Sequence, residues 1–167
     1  MWAVHQLYNT LIEVDENLRL KPSLAKSWEL SPDNLRFTFH LRTDVYFHDD
    51  AAFTNAKGRR CTAEDVAYSF NRIIDKNVAS TGAWIFNNRI DPVNGFTALN
   101  DSTFQLKLQR PFTPILGLLS MQYCSIVPKE AVEHYGPDFR RHPVGTGPFR
   151  FSARYNVGVN GGGLIVS

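Results

Sequence analysis

The stretch LRFTFHLR, residues 35–42, alternates without a break. Phe37, Phe39 and Leu41 point to one side of an extended chain, and Arg36, Thr38, His40 and Arg42 to the other. A strand with that pattern has one wet face and one face that something apolar must cover. Its partner stands just upstream: SWEL, residues 27–30, is followed by Pro32 and by the turn-forming pair Asp33–Asn34. WELSPDNLRFTFHLR therefore reads as an antiparallel hairpin.

The cover is legible further along. CTAEDVAYSFNRIID opens with Thr62 as an N-cap and Asp65 three residues later, a variant of the capping box, with Cys61 and Val66 at the staple positions. Val66, Phe70, Ile73 and Ile74 then form a stripe at helical spacing, suited to lying on a sheet. A second alternating strand, STFQLKLQRP, places Phe104, Leu106 and Leu108 inward, with Asn100–Asp101 as the turn before it. HQLYNTLIEV carries Leu7, Leu11, Ile12 and Val14 at near-helical spacing. FTPILGLLSM reads as a short apolar helix from about Pro114, and YCSIVP as a short buried strand. KEAVEHYG gives one or two helical turns stopped by Gly136. Residues 76–99 form an irregular region containing Trp84, Ile85 and Phe86. The whole is an α+β pattern with mostly antiparallel pairing.

Charge and cysteines narrow the function. A formal net charge of +2 with both signs interspersed gives no basic stripe for nucleic acid; Lys57, Arg59 and Arg60 read as a solvated loop. Cys61 and Cys124 form neither a CxxC pair nor a disulfide framework and read as buried free thiols. No apolar run approaches the roughly 20 residues that span a bilayer. No signal-peptide pattern is present, which fits either a cytosolic protein or a secreted one whose leader lies outside this chain.

Two constellations invite chemistry. His48, Asp49 and Asp50 stand together, with His40 eight residues earlier, but adjacent residues cannot all face one ion, so an aspartate-capped turn is the favoured reading and no metal site is assigned. The GTGPF stretch lacks the GxxxxGK[ST] or GxGxxG pattern, and Pro148 blocks the helix a phosphate loop requires. No GxSxG elbow or Cys–His arrangement appears, and nothing in the chain demands an enzyme.

Taken in order, these segments resemble the family 5 extracellular solute-binding proteins of ABC importers. The resemblance rests on LYNTLIEVDENLRLKPSLAKSWELSPDNLRFTFHLRTDVYFHDD, the CTAEDVAYSFNRIID helix, DSTFQLKLQRPFTPILGLLS, IVPKEAV and PVGTGPFRF, and covers roughly residues 6–151. FHDD stands where the family has FHDG, AAFTNAKGRR is a longer loop, and SARYNVGVNGGGLIVS departs from the family pattern. The resemblance implies a class II periplasmic binding protein-like fold, of which this chain would be a truncated fragment. In that reading, residues 1–19 belong to the first lobe, 20–143 form the small extra domain, and 144–167 return to the first lobe. Gly145 and Gly147 would serve backbone conformation there, and Gly161–Gly163 would lie in a disordered tail.

The same resemblance implies binding without catalysis or cofactor: capture of a peptide or other small solute and delivery to a membrane permease, in the periplasm or anchored to the cell envelope as a lipoprotein. A regulatory or sensory protein on the same fold, or a nickel- or haem-binding variant, is the alternative. By resemblance, two stretches face the ligand cleft, one at Trp84 and one at Met121 to Tyr123. Plain core packing is the competing reading for Trp84 and Met121.

Overall fold

A computed structural model describes residues 2–156 and 162–166. Its centre is a four-stranded antiparallel sheet in the order β3-β4-β6-β5, built from β3 (Ala25–Leu30), β4 (Arg36–Leu41), β5 (Phe96–Asn100) and β6 (Thr103–Lys107). The expected hairpin is β3–β4, with Trp28 opposite Phe39, and its turn places Asn34 at φ 57°, where asparagine is well tolerated. Phe37, Phe39 and Leu41 of β4 and Phe104 and Leu106 of β6 are all buried, as their alternation requires.

Helix α2 (Ala63–Ile74) covers that apolar face. The Phe70 ring lies 5.1 Å from Phe86, 5.5 Å from Phe96 and 5.6 Å from Phe104, so one side chain joins the helix, the irregular region and both later strands. Such offset and edge-on ring pairs contribute beyond their buried area. Val66 and Ile73 are buried as the stripe predicts, but Ile74 is 38% exposed. It lies about 100° around the helix from Ile73, past the rim of the sheet.

Several sequence expectations need correction. The helical spacing from Leu7 to Val14 is not used: α1 (Trp2–Leu7) stops, and Ile12–Val14 form β1, paired with β2 (Leu20–Pro22). Long-range bonds hold this segment extended, from the Leu24 N–H to the Thr10 carbonyl (3.2 Å) and from the Ala25 N–H to the Leu11 carbonyl (2.9 Å). The Thr10 hydroxyl also donates to the Ile12 carbonyl at 2.7 Å, the kind of local bond that competes with a helix. Strand β5 went unread because FTALN carries only one large apolar residue at alternate positions. Conversely, YCSIVP joins no ladder and is buried only at alternate positions, with Cys124 and Ile126 inside and Tyr123 exposed. Gln122–Cys124 make a 3₁₀ turn, and the Ile126 and Val127 amides donate to the Asn9 carbonyl and the Ser69 hydroxyl.

Helices α3 (Ile115–Leu119) and α4 (Lys129–Tyr135) appear where expected, α4 stopped by Gly136 at φ +49°. At the C-terminal end, β7 (Phe151–Asn156) pairs antiparallel with β8 (Gly162–Val166). Gly162 and Gly163 thus stand in a strand and not in an unstructured tail, while Gly161 lies outside the described residues.

Candidate functional site

Trp84 sits in a 3₁₀ turn, Ala83–Ile85, anchored by the buried side chains of Ile85 and Phe86. With its neighbours turned into the core, Trp84 is left 46% exposed, against the core-packing reading. The turn is fixed from below by Arg89, whose guanidinium donates to the Trp84 carbonyl at 2.6 Å and the Ile85 carbonyl at 3.2 Å. The same guanidinium stacks 4.9 Å from the Phe112 ring centre.

The second stretch lies against the first. A Cβ built on Gly82 would come within 2.7 Å of the Tyr123 Cβ, so only glycine allows the loop to approach this closely. Tyr123 is 38% exposed, while Met121 is half-buried against the core. The structure therefore brings two separate sequence segments together and leaves two aromatic rings facing solvent beside them. The grooves beside α2, α4 and β5, and the one beside Asn9 and Thr146, are not lined by Trp84, Met121 or Tyr123.

The other candidate residues have structural occupations. His48 bonds through Nε2 to the Gly147 carbonyl at 2.8 Å, and its backbone N–H donates to the Gly145 carbonyl at 2.9 Å. Asp49 accepts from Lys57 Nζ and the Gly58 N–H, and Asp50 from the Ala52 N–H and the Tyr135 hydroxyl. The three side chains diverge, as a capped turn requires, and among the described residues no group of three metal-ligating side chains converges. Burial pushes the Cys61 thiol up and the Cys124 thiol up to about 12, so neither forms a ready nucleophile.

Gly145 and Gly147 were expected to provide backbone freedom, but neither has a positive φ. A Cβ on Gly145 would fall 2.0 Å from the Leu7 carbonyl oxygen, and one on Gly147 would fall 2.4 Å from that of Gln6. Close approach to the end of α1 is their requirement. The Gly147 and Phe149 amides donate there to the Leu7 and Gln6 carbonyls, which supplies donors for carbonyls left open at the C-terminal end of the helix.

Sequence reading also missed Arg59, assigned to a solvated loop. Its guanidinium makes paired bonds to Asp65 (2.8 and 2.7 Å) and to Glu130 (2.6 and 2.8 Å), and lies over Phe47 and Phe53. Asp65 does more than the capping box implied. Its Oδ2 accepts from the Thr62 N–H at 2.9 Å and from the Thr62 hydroxyl at 3.2 Å, while its own N–H donates to the Thr62 carbonyl. The two residues share the cap as a capping box does, the Thr62 side chain facing the Asp65 amide and the Asp65 side chain taking the Thr62 N–H.

Comparison with known proteins gives a consistent result. The model of the family described as "Bacterial extracellular solute-binding proteins, family 5 Middle" matches residues 19–159. The peptide transport periplasmic protein SapA of Salmonella typhimurium is 34% identical over 166 residues, covering 92% of this chain and 30% of that protein. Heme-binding protein A of Haemophilus influenzae is 33% identical over 159 residues, covering 87% of this chain and 29% of that protein. Among solved structures, the ABC transporter-associated periplasmic binding protein DppA from Helicobacter pylori, in complex with peptide STSA, superposes with a TM-score of 0.74 at 34% identity. That match covers 90% of this chain and 31% of the other. The chain thus spans about 30% of the length of the curated relatives it matches.

Proposed function

Since the chain belongs to the bacterial extracellular solute-binding proteins of family 5, we propose that it forms part of the substrate-binding component of an ABC importer for peptides. In this reading it binds without catalysis in the periplasm or at the cell envelope and hands its ligand to a membrane permease. Residues 20–143 form the small extra domain, and 1–19 and 144–167 belong to the first lobe. Trp84, Met121 and Tyr123 face the ligand.

One observation carries the assignment of the ligand face: Trp84 and Tyr123 stand exposed on adjoining segments, held by the Gly82 contact and the Arg89 bonds. Large aromatic rings kept in water at a geometric cost are characteristic of binding surfaces. Met121 beside them offers an adaptable apolar contact.

The test is a chimera in which residues 19–150 of this chain replace the matching stretch of Helicobacter pylori DppA, titrated with peptide STSA. The chimera is expected to bind, and Trp84→Ala and Tyr123→Ala should each weaken binding by about tenfold or more with the melting temperature unchanged. A folded chimera whose affinity ignores both substitutions would refute the ligand-facing assignment.

A further inference from the structure

The central sheet ends at β5, and no described strand lies beyond it. The Lys107 N–H donates to the Gly95 carbonyl at 2.9 Å, and the register continues with Phe96 opposite Leu106, Thr97 opposite Gln105 and Ala98 opposite Phe104. Hydrogen-bonded pairs alternate in an antiparallel ladder, so Thr97 turns its N–H and C=O towards β6, while Phe96 and Ala98 turn theirs outward. Those outward groups border a groove of about 750 Å³, walled by Phe96, Thr97 and Ala98 on one side and by Tyr68 and Asn71 of α2 on another. The N-terminal turns of α4 close its far side.

The groove has a definite sign. Glu64, Asp65, Glu130 and Glu133 line it against Arg59 and Lys129, four carboxylates to two cations. Arg59 is already committed to Asp65 and Glu130, and Lys129 lies 3.6 Å from Glu133. A second copy of this chain would bring the same excess of negative charge to the same edge, so self-pairing is opposed.

We propose that this groove is a docking site for an extended peptide segment with lysine or arginine at alternate positions, added to β5 as a fifth strand. Main-chain bonds to Phe96 and Ala98 supply the pairing, as in other strand additions at an open sheet edge. Phe96 packs its side chain against Phe70 of α2, so alternate side chains of an added strand project on the α2 and α4 side. There they meet Glu64, Glu130 and Glu133. The site is separate from Trp84 and Tyr123, which do not line it, and it does not depend on the ligand face proposed above.

The experiment uses the 167-residue chain and a fluorescent octapeptide of alternating lysine and threonine, followed by anisotropy. Saturable binding is expected. Methylating alternate backbone nitrogens of the peptide should weaken it by about tenfold or more, because the side chains stay and the main-chain donors go. Ala98→Pro should do the same, since the N–H it removes points away from β6 and the sheet's own ladder is untouched. Glu64→Gln with Glu133→Gln should weaken binding severalfold and flatten its salt dependence. Equal binding of the methylated peptide, or of a peptide alternating glutamate and threonine, overturns the proposal. So does a concentration-dependent dimer that Ala98→Pro dissolves, because the edge would then belong to a second copy.

Discussion

Arg59→Ala removes the cation paired with Asp65, whose side chain is only 3% exposed. After the change, that carboxylate keeps the Thr62 N–H and hydroxyl as donors but, among the described residues, no ion-pair partner. Breaking a buried pair from one side costs about 3–5 kcal/mol, because the remaining charge stays buried and uncompensated. The Glu130 arm adds little: both side chains are more than a third exposed, and such pairs contribute about 1 kcal/mol at most. Against a usual stability of about 5–15 kcal/mol this is a large fraction, and it lowers the melting temperature by about 6–20 °C. Urea and thermal denaturation followed by circular dichroism measure it directly. The double variant Arg59→Ala/Asp65→Asn separates charge from packing: with the carboxylate neutralised, it should recover at least about 1 kcal/mol relative to Arg59→Ala alone. A loss below about 1 kcal/mol in the single variant, or a double variant no better than the single one, would refute this account of Asp65.

Two glycine substitutions should move stability in opposite directions. Gly145→Ala must displace the Leu7 carbonyl and should cost about 1–3 kcal/mol, whereas Gly117→Ala in α3 meets nothing within 4 Å and should add about 0.5–1 kcal/mol, both read from urea midpoints. Phe39→Ala empties a fully buried site against Phe104 and should cost about 3–5 kcal/mol in the same assay; an unchanged midpoint would mean that the sheet does not pack as described. Bonds from the Asn94 N–H, Lys107 and the Val93 N–H hold the Asp91 carboxyl down at about 2. Because the folded value lies below the unfolded value of about 3.9, its contribution is complete above that value and lost as pH falls towards about 2. The stability gap between wild type and Asp91→Ala should therefore be widest near neutrality and close by about pH 2, and a gap that widens on acidification would contradict the assignment.

The pieces that were legible in the sequence have a local cause. The β3–β4 hairpin, β6, α2 and α4 each announce themselves through alternation, a cap or a stop within a dozen residues. What was not legible depends on partners far along the chain. Leu11 and Ile12 are extended because Leu24 and Ala25 bind their backbone, and β5 is a strand because β6 needs an edge partner. Arg59 looked solvated because Glu130 stands 71 residues away, although Asp65, six residues on, was a usable hint. The proposed ligand face follows the same rule. Trp84 and Tyr123 were both named from the sequence, but the glycine contact that joins their segments and the Arg89 clamp exist only in three dimensions.

The seam between the end of α1 and residues 145–149 also sets an order of assembly. The Thr146 hydroxyl donates to Asn9 Oδ1 at 3.0 Å across 137 residues of chain. Bringing such distant points together costs on the order of 4 kcal/mol of loop entropy before any contact there is made. The hairpin and α2 form from neighbours and owe nothing to that closure, so the seam is expected to zip last during folding and to part first on a native-state excursion. Hydrogen exchange would register this as earlier deuteration of the Gly147 and Phe149 amides than of those in the middle of α2. Equal protection at the two places would mean that the body of the sheet and the seam open only together.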